Sequence, residues 1–444
     1  MKHLRWIIPL IVTVILVANS SCSKNQELFD PVATQAISDS LSPVDSIDRN
    51  HNWMLTDTRS ITVKANADVN ARWLKILTAD PRKDQNAEVA TQVMITDGET
   101  TFMSFCFPKT VTSLYAALID DEGRFTVTAF SPNDTKVDFS EPLYTKQLIS
   151  YIPQPQTFVY CYEEEMPDYT NLDFDYNDVV MGVAYERTGE REMRFHVTLN
   201  AVGTDRPMSA ALHLKNFKYD EIESVTTEGG ASFNVNSQGT EIAEQDISPN
   251  LLRTKEMLLK SQNQEKEEDK EAVINLFCDA HWATGDLLKP NEQYVINRWH
   301  YNVSKTSSQD MTYRTIVPRE MTFIVTFKEA KGLEYLNFDL IDPFIIKEYL
   351  GGTFEVHQYA YRNDWVLKEY KIADIEKLPW ALVIPYKKFR HPLEGVNIGF
   401  KKKDAMGFGA YSSYRGHTFG EWSMNHNLAN DWYLNEYATE NQVY

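Results

Sequence analysis

Cysteine is scarce in this chain. Only four occur in 444 residues, at positions 22, 106, 161 and 278. They form no CxxC pair and no zinc-ligand spacing, which excludes a disulfide scaffold and the common structural zinc modules. Cys106 lies in Phe102-Met-Ser-Phe-Cys-Phe107 and Cys161 in Phe158-Val-Tyr-Cys-Tyr162. Both runs read as apolar strands, so buried thiols are expected. Positive charge is also short. There are 44 Lys and Arg against 63 Asp and Glu, a net charge of -19, which argues against nucleic acid or anionic lipid as a main partner. No apolar run after residue 17 reaches membrane length. No nucleophile, base and orienting acid cluster together, so no catalytic residues are assigned.

What is present begins with an export signal. Lys2 and Arg5 precede the apolar core Trp6–Val17, and Ala18-Asn-Ser-Ser-Cys22 follows. Small residues before a cysteine fit lipoprotein processing, with residues 1–22 as signal and Cys22 as the lipidated first residue. Residues 23–57 are polar and carry Ser, Asp and Pro, and they read as a flexible linker. The expected address is the outer membrane by a lipid anchor, with display toward the cell exterior as an open extension of that reading.

The body reads as all-β. Short alternating runs with Gly/Asp turns over 58–155, among them Thr101–Phe107 and Arg124–Phe130, predict a small antiparallel β-sandwich. A larger β-sandwich-like domain with long loops is expected over 157–440. Its strands include Thr157–Tyr162, Val179–Tyr185, Met193–Leu199, Ala272–Phe277 and Met321–Phe327. A charged segment, 239–270, interrupts it and has helix-permissive composition, so a helical insertion is expected there. His196 and His213 sit among apolar neighbours and read as packed histidines.

Chemistry concentrates in Asp168-Tyr-Thr-Asn-Leu-Asp173-Phe-Asp175-Tyr-Asn177-Asp178, with Glu163, Glu164 and Glu165 just before. Like charges so close repel. A hard cation that takes six to eight oxygens relieves that cost, which points to calcium. The expected metal ligands are Glu164, Asp168, Asp173, Asp175, Asn177 and Asp178. Phe174 and Tyr176 alternate with the donors and would point inward to lock the loop. The segment is no EF-hand: Asp178 stands where the turn glycine belongs, and the twelfth position falls on Ala184. The bland alternative is an acidic surface turn held by backbone bonds.

A second set of residues carries a family resemblance. Leu378-Pro-Trp-Ala-Leu-Val-Ile-Pro385 is followed by Phe389-Arg-His-Pro392-Leu-Glu394, Phe419-Gly-Glu-Trp422 and Asp431-Trp432-Tyr433. Together with Leu172–Val180, these resemble the LruC-domain lipoproteins of Bacteroidetes over roughly residues 157–440. The preceding small sandwich is similar to the companion domain of that family. The family motif, Gly-Asp-x-Asp-Phe/Tyr-Asn-Asp, maps onto Asp173, Asp175, Tyr176, Asn177 and Asp178, with Leu172 replacing the glycine. The resemblance implies a surface-tethered, calcium-binding adhesion or binding module that is not an enzyme, whose partners are the membrane through the anchor and a glycan or another surface protein.

Two other functions stay open at this level. Glu163–Glu165 with Asp173 and Asp175 could serve as the carboxylates of a glycan hydrolase. Trp282, Trp299, Trp365, Trp380, Trp422 and Trp432 could then stack on sugars, although filling the core is the simpler role for most of them. A structural component of a cell-surface assembly is the third reading. The anchor has a direct check: metabolic fatty-acid labelling should mark the wild-type protein and be lost in Cys22→Ala, and equal labelling would remove the lipoprotein reading.

Overall fold

The computed structural model describes residues 42–64, 71–95, 100–120, 122–139, 147–149, 151–165, 173–262, 264–285, 299–305, 313–361, 378–399 and 409–444. The proposed signal, Cys22, Asp168 and Trp365 lie outside them. The chain is built mostly from antiparallel sheets, with only two short α-helices among the described residues, Ala280–Thr284 and Phe419–Met424. The all-β class expected from the alternating runs holds.

Among the described residues, nine strands precede residue 156. They are β1 (Thr56–Lys64), β2 (Ala71–Leu77), β3 (Glu88–Met94), β4 (Thr100–Pro108), β5 (Leu114–Asp120), β6 (Arg124–Phe130), β7 (Lys136–Asp138), β8 (Gln147–Leu148) and β9 (Gln154–Pro155). They form two facing sheets, ordered β4-β1-β7 and β8-β6-β5-β2-β3-β9. Ile61, Val63, Leu74, Ile76, Phe105 and Leu118 fill the space between as a core of their own. Alternation supplies this core directly, because every second residue of a strand faces the partner sheet.

The remaining strands are β10 (Thr157–Tyr162), β11 (Val179–Arg187), β12 (Glu192–Ala201), β13 (Ser209–Lys218), β14 (Ile222–Thr227), β15 (Leu258–Lys260), β16 (Glu271–Phe277), β17 (His300–Tyr301), β18 (Tyr313–Arg314), β19 (Arg319–Phe327), β20 (Ile341–Tyr349), β21 (Gly352–Val356) and β22 (Ala381–Ile384). One six-stranded sheet runs β14-β19-β12-β11-β10-β22, and a five-stranded sheet runs β15-β16-β13-β20-β21. A second and larger apolar core lies between them. The charged segment 239–270 takes its helical form as two 3₁₀ turns, Glu244–Asp246 and Glu267–Asp269, rather than as a long helix. Its Leu258 and Leu259 pair with Ile274 and Val273 and extend the sheet edge, which leaves the charged residues at the surface.

Residues 42–55 are packed on the larger sandwich. Trp53 and Leu55 are buried. His51 Nε2 stands 2.9 Å from the Trp422 carbonyl, Asp48 N donates to Ser423 O at 2.8 Å, and Trp53 meets the Trp422 ring at 5.3 Å. This part of the expected linker is therefore held, because an indole removed from water stabilises its docked position. The three cysteines beyond Cys22 are free and buried, as the apolar runs predict.

The C-terminal residues lock the segment that follows β22. Tyr444 N donates to His391 O at 2.9 Å, and the two rings stack with centroids 5.4 Å apart. His391 Nε2 faces Asn302 O at 2.7 Å. Burial lowers the His391 pKa to about 4, so the ring stays neutral in the fold while the unfolded chain protonates near pH ~6.5. A base with a depressed folded pKa costs stability as pH falls from that unfolded value toward the folded one. Between about pH 7.5 and about pH 5, wild type should lose ~2 kcal/mol more than His391→Gln. Denaturant titrations at both pH values check this, and parallel curves for the two proteins would refute it.

Candidate metal centre

The register of one strand pair builds the site. Tyr162 at the end of β10 pairs with Val179 at the start of β11. The chain between them is therefore a long hairpin loop whose two ends, Glu163 and Asp178, are brought side by side. Glu163 is anchored by its backbone N–H on Trp380 O at 3.0 Å, and Asp178 Oδ2 accepts from Glu164 N at 2.5 Å.

Within the loop, Phe174 and Tyr176 both adopt left-handed backbone, with φ of 56° and 52°. Such conformations cost L-residues ~1–2 kcal/mol each. Complete burial of both rings and two hydrogen bonds offset the cost. Tyr176 Oη donates to Pro379 O at 2.9 Å, and Ile398 N donates to Phe174 O at 2.9 Å. The inward aromatics expected from the sequence are present, on a contorted rather than an extended loop.

This backbone gathers Glu163, Asp173 and Asp175. One carboxylate oxygen from each lies within 4.8 Å of the others. Glu163 is 1% exposed and its Oε2 has no hydrogen-bond partner. Asp175 is held by Asn177 N on Oδ1 at 3.2 Å and Gly395 N on Oδ2 at 2.8 Å. Burial, reinforced by the neighbouring acids, pushes Glu163, Asp175 and Asp178 well above the usual carboxylate range. Asp173 is raised by burial first and by Glu394 second. Among the described residues, no Lys or Arg pairs with any of these four. A cation seated there would replace the missing positive charge.

The acidic run divides sharply. Glu164, expected among the ligands, lies outside the three-carboxylate group, and Glu163 takes that place. Glu164 faces Lys347 Nζ at 3.6 Å and Arg206 Nε at 3.4 Å, and Thr204 Oγ1 donates to its Oε1 at 3.0 Å. Lys347 also donates to its carbonyl oxygen. Glu165 pairs with Arg206 at 2.8 Å. These two acids are thus neutralised by the chain itself. Asn177 is fully buried, with Nδ2 donating to Pro392 O at 3.2 Å. Its Oδ1 has no hydrogen-bond partner.

A cleft of about 390 Å³ opens over the group. Glu163, Asp173 and Asp178 line it together with Glu394, Asp205, His300 and Tyr313. The lip is a two-residue parallel ladder of β17 with β18. It is sewn on by Tyr301 N to Val202 O at 2.7 Å and by Glu394 N to Val303 O at 2.9 Å. His300 Nδ1 stands 3.4 Å from Glu394 Oε2. Glu394 and Gly395 were not expected at the site. Glu394 ends the Phe389–Glu394 motif and Gly395 follows it, and that place in the motif is the one signal they carry. Trp282, Trp380, Trp422 and Trp432 are buried in the cores, so they do not supply a sugar-stacking surface.

The family model for a domain of unknown function, DUF4842, matches residues 191–423, just over half of the chain. The chain belongs to this family. The acidic loop lies before the matched segment, while Gly203, His300, Tyr313 and Glu394 fall within it, so the cleft joins the family domain to the hairpin that precedes it. Among solved structures, a candidate lipoprotein from Bacteroides ovatus is similar over 83% of this chain and 99% of its own, at 16% identity and TM-score 0.46. The full-length major pilin SpaD from Corynebacterium diphtheriae overlaps 68% of this chain and 63% of its own, at 11% identity and TM-score 0.14. Neither likeness is close enough to transfer a site. No curated protein matches.

Gly203 tests how tightly the loop is fitted. A Cβ added there would overlap Asn177 Oδ1 and crowd Asn177 O at 2.8 Å, and Gly203 N donates to Asp178 O at 3.0 Å. Gly203→Ala should therefore cost ~1–3 kcal/mol, measured by chemical unfolding. An unchanged midpoint would show that the loop gives way freely.

Proposed function

We propose that this chain is a lipid-anchored outer-membrane protein of the LruC type, acting as a non-catalytic binding or adhesion module ordered by calcium. Two folding units, 58–155 and 157–440, fit the two separate cores. The observation that carries the reading is the unneutralised group of Glu163, Asp173 and Asp175, with a buried oxygen that has no partner, open to a cleft.

Glu163, Asp173 and Asp175 are the direct ligands in this proposal. Asp178 and Asn177 flank them, and Asp168, outside the described residues, stays a candidate ligand from the sequence. All donors are oxygens, and their number suits the large, irregular shell of calcium better than the small octahedron of magnesium. A cation bound there ties both ends of the hairpin loop to the segment 394–399. It thereby fixes the surface around the cleft without performing chemistry.

Binding only to the folded state raises stability, by ~2.7 kcal/mol at a hundredfold excess over Kd. Metal-free protein should therefore melt higher with calcium, and magnesium should do less. Glu163→Gln and Asp175→Asn should remove most of the shift, while Glu27→Gln should keep it. Identical melting with and without calcium, together with no heat of binding, would reject the reading.

The pH dependence has a fixed sign. Acids whose folded pKa is raised hold protons that the unfolded chain has released, so their burial costs metal-free stability as pH rises above the unfolded value of ~4. Calcium displaces those protons. The calcium-induced rise in Tm should grow from about pH 5 to about pH 7.5. A shift that shrinks over that range would contradict the assigned ligands.

A further inference from the structure

The cleft presents an unbalanced set of hydrogen-bonding groups. Glu163, Asp173, Asp178, Asp205 and Glu394 face it, and once a bound cation has displaced their protons these carboxylates only accept. Most donors nearby are turned to acids of the chain, and His300 Nδ1 stands 3.4 Å from Glu394 Oε2. Thr204 Oγ1 donates to Glu164, and Arg206 and Lys347 stand against Glu164 and Glu165. A molecule entering this space must bring protons to share and no negative charge.

Resting on the calcium reading above, we infer that the cleft binds a neutral saccharide through two adjacent hydroxyls that complete the shell of the cation. The floor cation needs oxygen lone pairs, because three protein carboxylates do not fill six to eight positions. The walls need donors. A hydroxyl supplies both. An ammonium group has no lone pair for the cation. A carboxylate or phosphate has no proton for the walls and is repelled by them. The volume of about 390 Å³ falls in the range of small-molecule sites. The lip adds partly exposed rings. Tyr313 meets His300 edge-on at 5.6 Å, and Arg314 lies 4.1 Å over the Trp299 ring, giving the C–H face of a sugar an apolar neighbour.

The test uses the full mature chain on immobilised oligosaccharides of three kinds: neutral, uronic-acid-bearing and amino-sugar. Binding to neutral glycans should appear with calcium, vanish with EGTA and be competed by a free vicinal-diol monosaccharide. Glu394→Gln should weaken glycan binding about tenfold, through loss of a charged acceptor, while a calcium-induced rise in Tm remains, reduced by the loss of one nearby negative charge. Glu329→Gln, remote from the cleft, should match wild type. Retention of the calcium shift with no neutral glycan bound, or preference for the uronic-acid or amino-sugar set, overturns the saccharide inference and leaves the metal reading standing. Absence of both the calcium shift and calcium binding overturns the two together.

Discussion

Everything around the cleft depends on carboxylates that the chain buries but does not neutralise. Burying a charge is expensive unless it is paired. The chain has basic residues to spend, and it places two of them beside Glu164 and Glu165. Among the described residues it pairs none with Glu163, Asp173 or Asp175, although Glu163 and Asp173 line the same cleft as Glu164 and Glu165. The asymmetry is therefore local to the floor. It is sustained by backbone: the β10–β11 register fixes Glu163 opposite Asp178, and Gly395 N holds Asp175 from the far side.

The loop carries a further cost in its backbone. Two left-handed aromatic residues in alternation are not a conformation that a solvated turn would choose. Their rings are sealed into the larger core, so the strain is offset by burial. The carbonyl of Phe174 and the carboxylate of Asp175 are both taken by the 395–398 segment. Acidic residues on an exposed turn would relax by spreading apart. Here the aromatic neighbours of each acid are locked, so the acids cannot separate. This distinguishes the arrangement from the acidic surface turn that the sequence also allowed.

Much of this was legible from residue order. Short continuous apolar runs located β10 at Thr157–Tyr162 and the start of β11 at Val179, because a strand buried on both faces carries apolar residues without alternation. The oxygen-rich loop between them followed. What sequence could not supply was phase and distance. Glu163 and Glu164 differ by one position, and only the pairing at the strand end decides which faces the loop and which meets Lys347. Glu394 and Gly395 lie more than 200 residues from Asp175 along the chain, and no local pattern announces such a contact. Tryptophans look alike in sequence whether they fill a core or line a groove. The linker over 23–57 failed to betray its docked end because Trp53-Met54-Leu55 is a single short apolar run at the end of a polar stretch.

That docked end has a mechanical consequence. Residues 42–55 cross the larger sandwich before the chain enters β1 of the smaller one. Their contacts run through Trp422, Ser423 and His426, and Pro43 lies so close to Gly399 that a side chain there would overlap its carbonyl. Gly399 directly follows Ile398, whose N–H holds the Phe174 carbonyl. Tension applied from the N-terminal side therefore reaches the larger sandwich first, at a segment that also grips the acidic loop. The docked segment and the acidic loop thus meet adjacent residues, Gly399 against Pro43 and Ile398 on the Phe174 carbonyl.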